Sequence, residues 1–421
     1  MAGGFLYQSQ GRTELNEKLG NPDTRGLGLK HAGRNVWILG LTSLLTDASS
    51  EMVAAILPLY ALYFLHASPA MFGVVDGLQQ GGASLVKLAA GWFTDRSQRH
   101  KSVAAAGYLA SAVSKFGLLV AAGGASALTA LVVLDRLGKG IRTAPRDAII
   151  SLSVPRGALA SAFGIHRALD TTGAMLGPLL AFLVLRWIAD GYDVVFAISL
   201  ALALVGVAAL VLFVDTSVIG AAAPADQLAP GSRWWSPRFV MIAVLAGAFG
   251  LTTISDAFIY LSLQRKLGFD HTYLPLLFVA TPAVYLTLAI PVGRIADRVG
   301  RTSVIVGGYA ALLLLYVILA SSASSLAVIA MCVFLLGSFY AMTDGVFAAL
   351  ASSELPPERR ATGLALVSTC NDVGRLVSSV FFGWMWSRSS PDAAARAFIP
   401  LMVVTLALAT VVIWRFRTNA R

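Results

Sequence analysis

The chain has 421 residues, 57% of them hydrophobic and only 13% charged, with a mean hydropathy of +0.74. Soluble domains carry about 25% charged residues, so a water-soluble protein of this length is excluded. The net charge of +10 does not indicate nucleic acid, because the basic residues fall in short loops between apolar runs, the pattern that orients membrane proteins. The runs are long, as in "SALTALVVL" and "LLAFLVLRWI", and so argue for membrane-crossing helices rather than the short alternating strands of a barrel. Cys332 and Cys370 both lie in apolar segments and read as small buried hydrophobes, not as a disulfide or a metal site.

In chain order, residues 1–34 are polar and of mixed charge, without the apolar core of a cleavable signal. They read as a cytoplasmic tail. A span needs roughly 20 mostly apolar residues. Spans are predicted near 35–65, 71–94, 102–123, 126–151, 157–187 and 192–214. A linker rich in Pro, Gly and Ala follows at 215–237. Six more spans are predicted near 238–264, 272–294, 302–321, 325–350, 359–388 and 394–416, leaving a short tail at 417–421. The fold class is therefore an all-α membrane protein of twelve transmembrane helices in two six-helix bundles, 35–214 and 238–416. The Lys and Arg distribution predicts both termini and the linker on the cytoplasmic side; "QRKLGFDH", with Arg265 and Lys266, fits that orientation least well.

The halves repeat. "GWFTDRSQRHK" (Gly91–Lys101) follows the second span, and "GRIADRVGRT" (Gly293–Thr302) follows the eighth, with the glycines 202 positions apart. Asp47 in the first span has a counterpart in Asp256, and Asp170 in the fifth has one in Asp372. A parallel duplication explains all three matches. The second loop, with Gly293, Asp297, Arg298, Gly300 and Arg301, resembles the conserved loop of the major facilitator superfamily; the first copy has Gln98 where that pattern has glycine. "GAMLGP", Gly173 to Pro178, looks like the antiporter motif of drug/proton-exchanging members but lacks its closing glycine pair. "TDASSEM" and "RLGKGIRTAPRDA" resemble a branch of largely uncharacterised prokaryotic transporters. The resemblance covers about residues 35–416. It implies two pseudo-symmetric bundles rocking around a midplane site in a prokaryotic inner membrane, and gates at the paired loops: Gly91, Asp95 and Arg96 in one, Gly293, Asp297, Arg298, Gly300 and Arg301 in the other.

Charges inside the membrane single out candidate residues, because an acid at the bilayer centre costs roughly 2.5–3.5 kcal/mol and such residues are functional by default. Asp47 lies about a dozen residues into the first span, near the midplane at roughly 1.5 Å per residue. Helical spacing puts Ser43, Asp47, Ser50 and Glu51 on one side, expected to face a polar cavity between the bundles. Asp47 and Glu51, with Asp256, are the proton-coupling candidates, and Asp47 is expected to dominate because its position repeats; the alternative is an ion pair that only fixes helix packing. Asp76, Gln80 and Lys87 form one stripe of the second span. Lys87 could bind an anionic substrate or neutralise Asp47 or Glu51.

The fourth span is densest in charge. Asp135, Arg136, Lys139, Arg142, Arg146 and Asp147 fall within an arc of roughly 140°. Arg142, Arg146 and Asp147 read as gate structure, and Arg136 and Lys139 as substrate contacts. His166 and Asp170 share a face with Gly173 and Gly177, whose lack of a side chain, beside Pro178, suits tight helix packing. His166 could titrate near neutral pH or simply hydrogen-bond. Asp170, Asp344 and Asp372 are further substrate candidates, with Arg375 expected to pair with Asp372 three residues before it.

No phosphate-binding loop, HExxH or GxSxG is present, so an enzyme is not expected and uphill transport would draw on an ion gradient. The leading expectation is a monomeric secondary transporter in the lipid bilayer, without cofactor or metal, exporting a small organic molecule in exchange for protons. Uptake of an anionic metabolite and a non-transporting membrane sensor are the alternatives.

Overall fold

Without water to serve backbone groups, each apolar run must satisfy its own N–H and C=O groups, and helices do so segment by segment. The computed structural model describes residues 33–97, 99–120, 124–154, 159–215, 236–355 and 360–418, and among these there is no strand. The first half comprises α1 (Arg34–Leu59, continued by a π-turn at Tyr60–Phe64), α2 (Pro69–Ser97), α3 (His100–Val120), α4 (Ala125–Leu152), α5 (Leu159–Trp187) and α6 (Tyr192–Phe213). The second half comprises α7 (Pro237–Leu251), α8 (Asp256–Leu267), α9 (Leu274–Val299), α10 (Arg301–Ala320), α11 (Leu326–Ser353), α12 (Arg360–Arg388) and α13 (Pro391–Thr418). Residues 1–32 of the expected tail, 216–235 of the expected linker and 419–421 at the end lie outside the described residues.

Eight helical segments among the described residues are long and apolar enough to cross a membrane unaided, with α7 and α8 counted as one. The four other spanning helices, α1, α2, α4 and α12, each carry two or more charged residues within the span. They are held by packing rather than by hydropathy. In the first half α1 packs on α5 and α6, α2 on α4, and α3 on α4 and α6. In the second half the equivalent pairs recur: α7 on α12, α9 on α11, and α10 on α11 and α13. The internal repeat therefore survives as a repeat of helix pairing. Leu204, Val205 and Leu212 on α6, and Val404 and Leu408 on α13, are exposed apolar side chains of a surface suited to lipid.

The seventh span departs from its prediction. It is broken at Thr252–Ser255 into α7 and α8, where one continuous helix was expected. No proline marks the break, and the nearest glycine, Gly250, lies two residues before it. Thr252 and Thr253 instead turn their hydroxyls back to backbone oxygens of Phe249, the local competition that weakens helices at such residues. Ser255 then caps α8 by accepting the Phe258 N–H, with Asp256 in the first turn. The freed backbone groups find partners elsewhere. The Tyr316 hydroxyl donates to Thr252 O at 2.9 Å and accepts from Ile254 N at 2.7 Å, and Ser378 donates to Thr253 O at 2.7 Å.

The halves meet along α2–α12 and α5–α9. Gly73, Gly77 and Gly81 put the backbone of α2 against α12; a Cβ on Gly77 would stand 2.8 Å from Leu376 O, and one on Gly81 2.9 Å from Asp372 O. The inter-half contacts cluster at the Pro69/Arg388 end. Tyr63 donates to Gln264 at 2.7 Å, Ala70 N–H to Ser387 Oγ at 2.7 Å, and Phe182 packs against Tyr273. The molecule is closed at that end.

Candidate functional site

Asp47 does not face the space between the halves. Its carboxylate accepts from Arg142 Nη2 at 3.1 Å, and both residues are buried within the first half. Arg142 also donates to Ser111 Oγ at 3.1 Å and lies over the Tyr108 ring at 4.7 Å. Ser43 and Ser50 likewise point inward: Ser43 contacts His166 Nε2 at 2.9 Å, and Ser50 accepts from Lys115 Nζ at 3.1 Å. The expectation that this face of α1 lines the central cavity is corrected for all but Glu51. The physical reason is the supply of buried partners on α3, α4 and α5, which satisfy these polar groups within the half.

Glu51 is half-buried, 3.8 Å from Lys139 Nζ, which is also 4.0 Å from Asp47. It lines a cavity of about 210 Å³ between the halves, together with Asp76, Gln79, Gln80 and Arg136 from the first half and Asp256 from the second. Phe72 and Phe278 close its apolar side. Arg136 is buried and bonded to Asp135, which also accepts from Lys115. Lys115 is 1% exposed, so it and not Lys87 is the lysine deepest in an apolar span. Nothing in "YLASAVSKFGLLV" marks it, because its neighbours along the helix are apolar or small and its partners, Asp135 and Ser50, lie on other helices. Lys87 itself is exposed and neutralises neither Asp47 nor Glu51.

The lower α4 charges bind each other and α5. Arg146 donates to Asp147 at 2.9 Å and to Ser43 at 3.4 Å, and stands 3.8 Å from Asp170, which also pairs with Arg167 at 3.2 Å. Asp170 is thus engaged inside the first half. His166 is buried on Ser43, the hydrogen-bonding role. Gly173 and Gly177 bring α5 onto the α1 backbone; a Cβ on Gly177 would be 2.8 Å from Met52 N. Pro178 lies inside α5 beside this contact.

In the second half Asp256 starts α8 and accepts from Tyr340 Oη at 2.6 Å, with Arg375 Nη2 3.7 Å away. Arg375 donates to the same hydroxyl at 2.9 Å, so Asp256, Tyr340 and Arg375 form one triad. This corrects the expected Arg375–Asp372 pair: the guanidinium reaches toward α8 and α11, and Asp372 instead accepts from Ser84 of the first half. Asp344, Asp372, Asn371 and Arg375 line a second cavity of about 200 Å³ with Tyr309, Phe339 and Phe347.

The paired loops stand at the opposite end from the inter-half closure. Asp297 is exposed and lies 3.8 Å from Arg301, which donates to Ala349 O at 2.9 Å. Gly300 ends α9 with φ +101°, a region that favours glycine, and Arg298 is exposed. A Cβ on Gly293 would meet open space. Arg96 is exposed near the end of α2, while the side-chain surroundings of Gly91 and Asp95 lie outside the described residues.

A sequence profile described as Major Facilitator Superfamily matches residues 39–379 and 240–420. The chain belongs to this superfamily. It is 30% identical over 387 residues to an uncharacterised MFS-type transporter of Methanocaldococcus jannaschii, covering 90% of this chain and 94% of the relative. It is 25% identical over 375 residues to an uncharacterised protein of Mycobacterium bovis, covering 85% and 88%. Among solved structures, the nucleoside transporter NupG superposes with a TM-score of 0.73 at 14% identity, over 90% of this chain and 98% of that one. A bacterial homologue of the human lysosomal transporter Spinster, described as inward-facing and occupied, superposes with a TM-score of 0.67 at 15% identity, over 89% and 94%. These likenesses carry the fold. The chain is a multi-pass MFS-type membrane transporter with a small-molecule substrate, not an enzyme.

Proposed function

We propose that this transporter exports a small organic compound in exchange for protons, by alternating access at the inter-half cavity. The observation that carries the reading is the gathering of Glu51, Asp76 and Asp256, from both halves, around one space of about 210 Å³. Carboxyls at such a place exchange protons with whichever side the cavity opens to. Glu51 is the leading exchange site, because Asp47 is pinned by Arg142 while Glu51 reaches the cavity. Asp256 is its partner across the seam. The second cavity, with Asp344 and Asp372 beside Tyr309, Phe339 and Phe347, suits an aromatic cation held by charge and ring faces.

The loop charges support cytoplasmic termini in a prokaryotic inner membrane, which makes the closed Pro69/Arg388 end external and the loop-bearing end cytoplasmic. In this reading Asp95, Arg96, Asp297 and Arg301 latch the cytoplasmic end when it closes. Uptake of an anion has less support. Arg136 is held by Asp135, Lys139 is shared by two acids, and Lys87 does not line the cavity between the halves.

The test is flux in proteoliposomes with an imposed pH gradient, using a panel of fluorescent aromatic cations headed by ethidium. The parent should accumulate a panel member on the acidic side. Glu51→Gln should abolish uphill accumulation while preserving downhill exchange, and Asp47→Asn should lose flux together with folded stability. Uphill transport by Glu51→Gln at the parent's rate, with the same pH dependence, would refute the coupling role. Failure of every cation to move would refute the substrate class.

A further inference from the structure

Asp76 is set apart from the other acids of the central cavity. It lies on α2 beside Gly77, in the glycine-lined seam against α12, and is 4% exposed. Its carboxylate accepts from Ser379 of α12, with the Ser255 hydroxyl of α8 alongside. Both hydroxyls belong to the opposite half. A reciprocal contact lies two turns along, where Ser84 of α2 donates to Asp372 of α12. The seam is thus fastened by two serine–aspartate contacts of opposite sense.

The charged groups around Asp76 are already committed. On α4, Arg136 is bonded to Asp135. On α12, Arg375 is bonded to Tyr340 and stands by Asp256 of α8, and Asp372 is bonded to Ser84. On α1, Glu51 faces Lys139. On α2 itself the nearby polar groups are the neutral Gln79 and Gln80, and Lys87 is exposed farther along. Among the described residues no lysine or arginine forms an ion pair with Asp76. A carboxylate shut between packed helices with hydroxyls for neighbours, and Glu51 and Asp256 in the same cavity, lacks what makes a buried charge tolerable. The neutral acid is free of that cost. It can also donate to Ser379, whose oxygen accepts as readily as its hydroxyl donates.

We propose that Asp76 is a proton-binding site of the seam between the halves, occupied when the Pro69/Arg388 end is shut. Opening that end separates α2 from α12, exposes the carboxyl to water and releases the proton. Protonation therefore favours the shut seam, and its hold weakens as pH rises. This site is separate from Glu51, and its action is conformational, so its test needs no transported solute.

Ser68 and Ser389 are exposed at the outer ends of α2 and α12. In a background lacking Cys332 and Cys370, spin labels at Ser68→Cys and Ser389→Cys report the seam in purified full-length protein in nanodiscs. Between about pH 5 and pH 8 the shut-to-open ratio should fall, by up to about tenfold for one site whose proton affinity differs by a unit between states. Asp76→Asn, which keeps a neutral hydrogen-bonding group, should hold the short distance at every pH. Ser379 bonds the charged carboxylate more strongly than the neutral acid, so Ser379→Ala costs the charged form more and should move the transition to higher pH. A parent distance distribution that ignores pH, or an unchanged pH response in either variant, overturns the proposal. If Asp76→Asn does not fold, the Ser379→Ala shift decides. Absence of flux in proteoliposomes leaves this response intact, so failure of the transport reading and failure of the seam site are distinguishable.

Discussion

The buried trio of Lys115, Asp135 and Arg136 allows a prediction of rank as well as size. Asp135 is one anion between two cations, and the three are 1%, 7% and 6% exposed. Lys115→Met keeps the aliphatic stem and leaves Asp135 and Arg136 as a matched pair. What it loses is the charge-assisted bonding of Lys115 to Asp135 and to Ser50, so its cost should be about 1.5–3 kcal/mol. Asp135→Asn leaves two cations facing each other with no anion between them. That is the broken-pair case and should cost about 3–5 kcal/mol. Combining the two substitutions removes one stranded charge, so the double variant should be more stable than the two single costs added together. Denaturant unfolding of the purified protein in micelles, followed by tryptophan fluorescence, reads all three differences. If Lys115→Met costs as much as Asp135→Asn, or if the costs add without interaction, the trio is not an electrostatic unit and the reasoning fails.

Two further outcomes are expected. Tyr316→Phe orphans the Thr252 carbonyl and the Ile254 N–H at the α7–α8 break, and should destabilise the protein by about 1–3 kcal/mol per group while raising amide exchange at Ile254; unchanged exchange there would refute the bracing role. In single-cysteine labelling of intact cells, Ser68→Cys should react from outside and Gln227→Cys should be protected; the reverse pattern would invert the orientation and with it the assignment of the closed end as external.

The architecture was legible because it rests on long-range periodicity. Apolar runs, their charged punctuation and the Gly91/Gly293 loops determine the spans and the repeat, and the helix pairing follows the repeat. Partner choice was not legible. Arg375 was expected on Asp372 because i,i+3 neighbours are the only contacts a single helix reveals. In the structure it serves Asp256 and Tyr340, which are 119 and 35 positions away. Lys115 and Tyr340 were missed for the same reason: each is unremarkable in its own helix, and only the packing of neighbours supplies its partner. The α7–α8 break left a usable local sign, since "TTISD" places back-bonding threonines before a Ser N-cap and an acid. Apolar runs on either side hid it.

The two acids of "TDASSEM" sit one helical turn apart in unlike surroundings. Asp47 meets a buried arginine, itself tied to Ser111 and stacked on Tyr108, so neutralising it would disturb a buried linkage from α1 through α4 to α3. Glu51 meets a lysine that is about one-third exposed and a cavity of about 210 Å³ shared with the opposite half. The first arrangement favours a fixed charge and a rigid half; the second favours a charge that can change as the halves move. Their counterparts follow a different plan. Asp256 stands not in a continuous helix like Asp47 but at the start of α8, after a break braced by Tyr316 and Ser378. The duplicated position has therefore become a structural anion in one half and a cavity-facing acid at a helix end in the other. An exchange of protons between the sides of the membrane needs groups of the second kind. That is why Glu51 and Asp256, rather than Asp47, carry the proposed coupling, and why substitution of Asp47 is expected to register in stability as well as in flux.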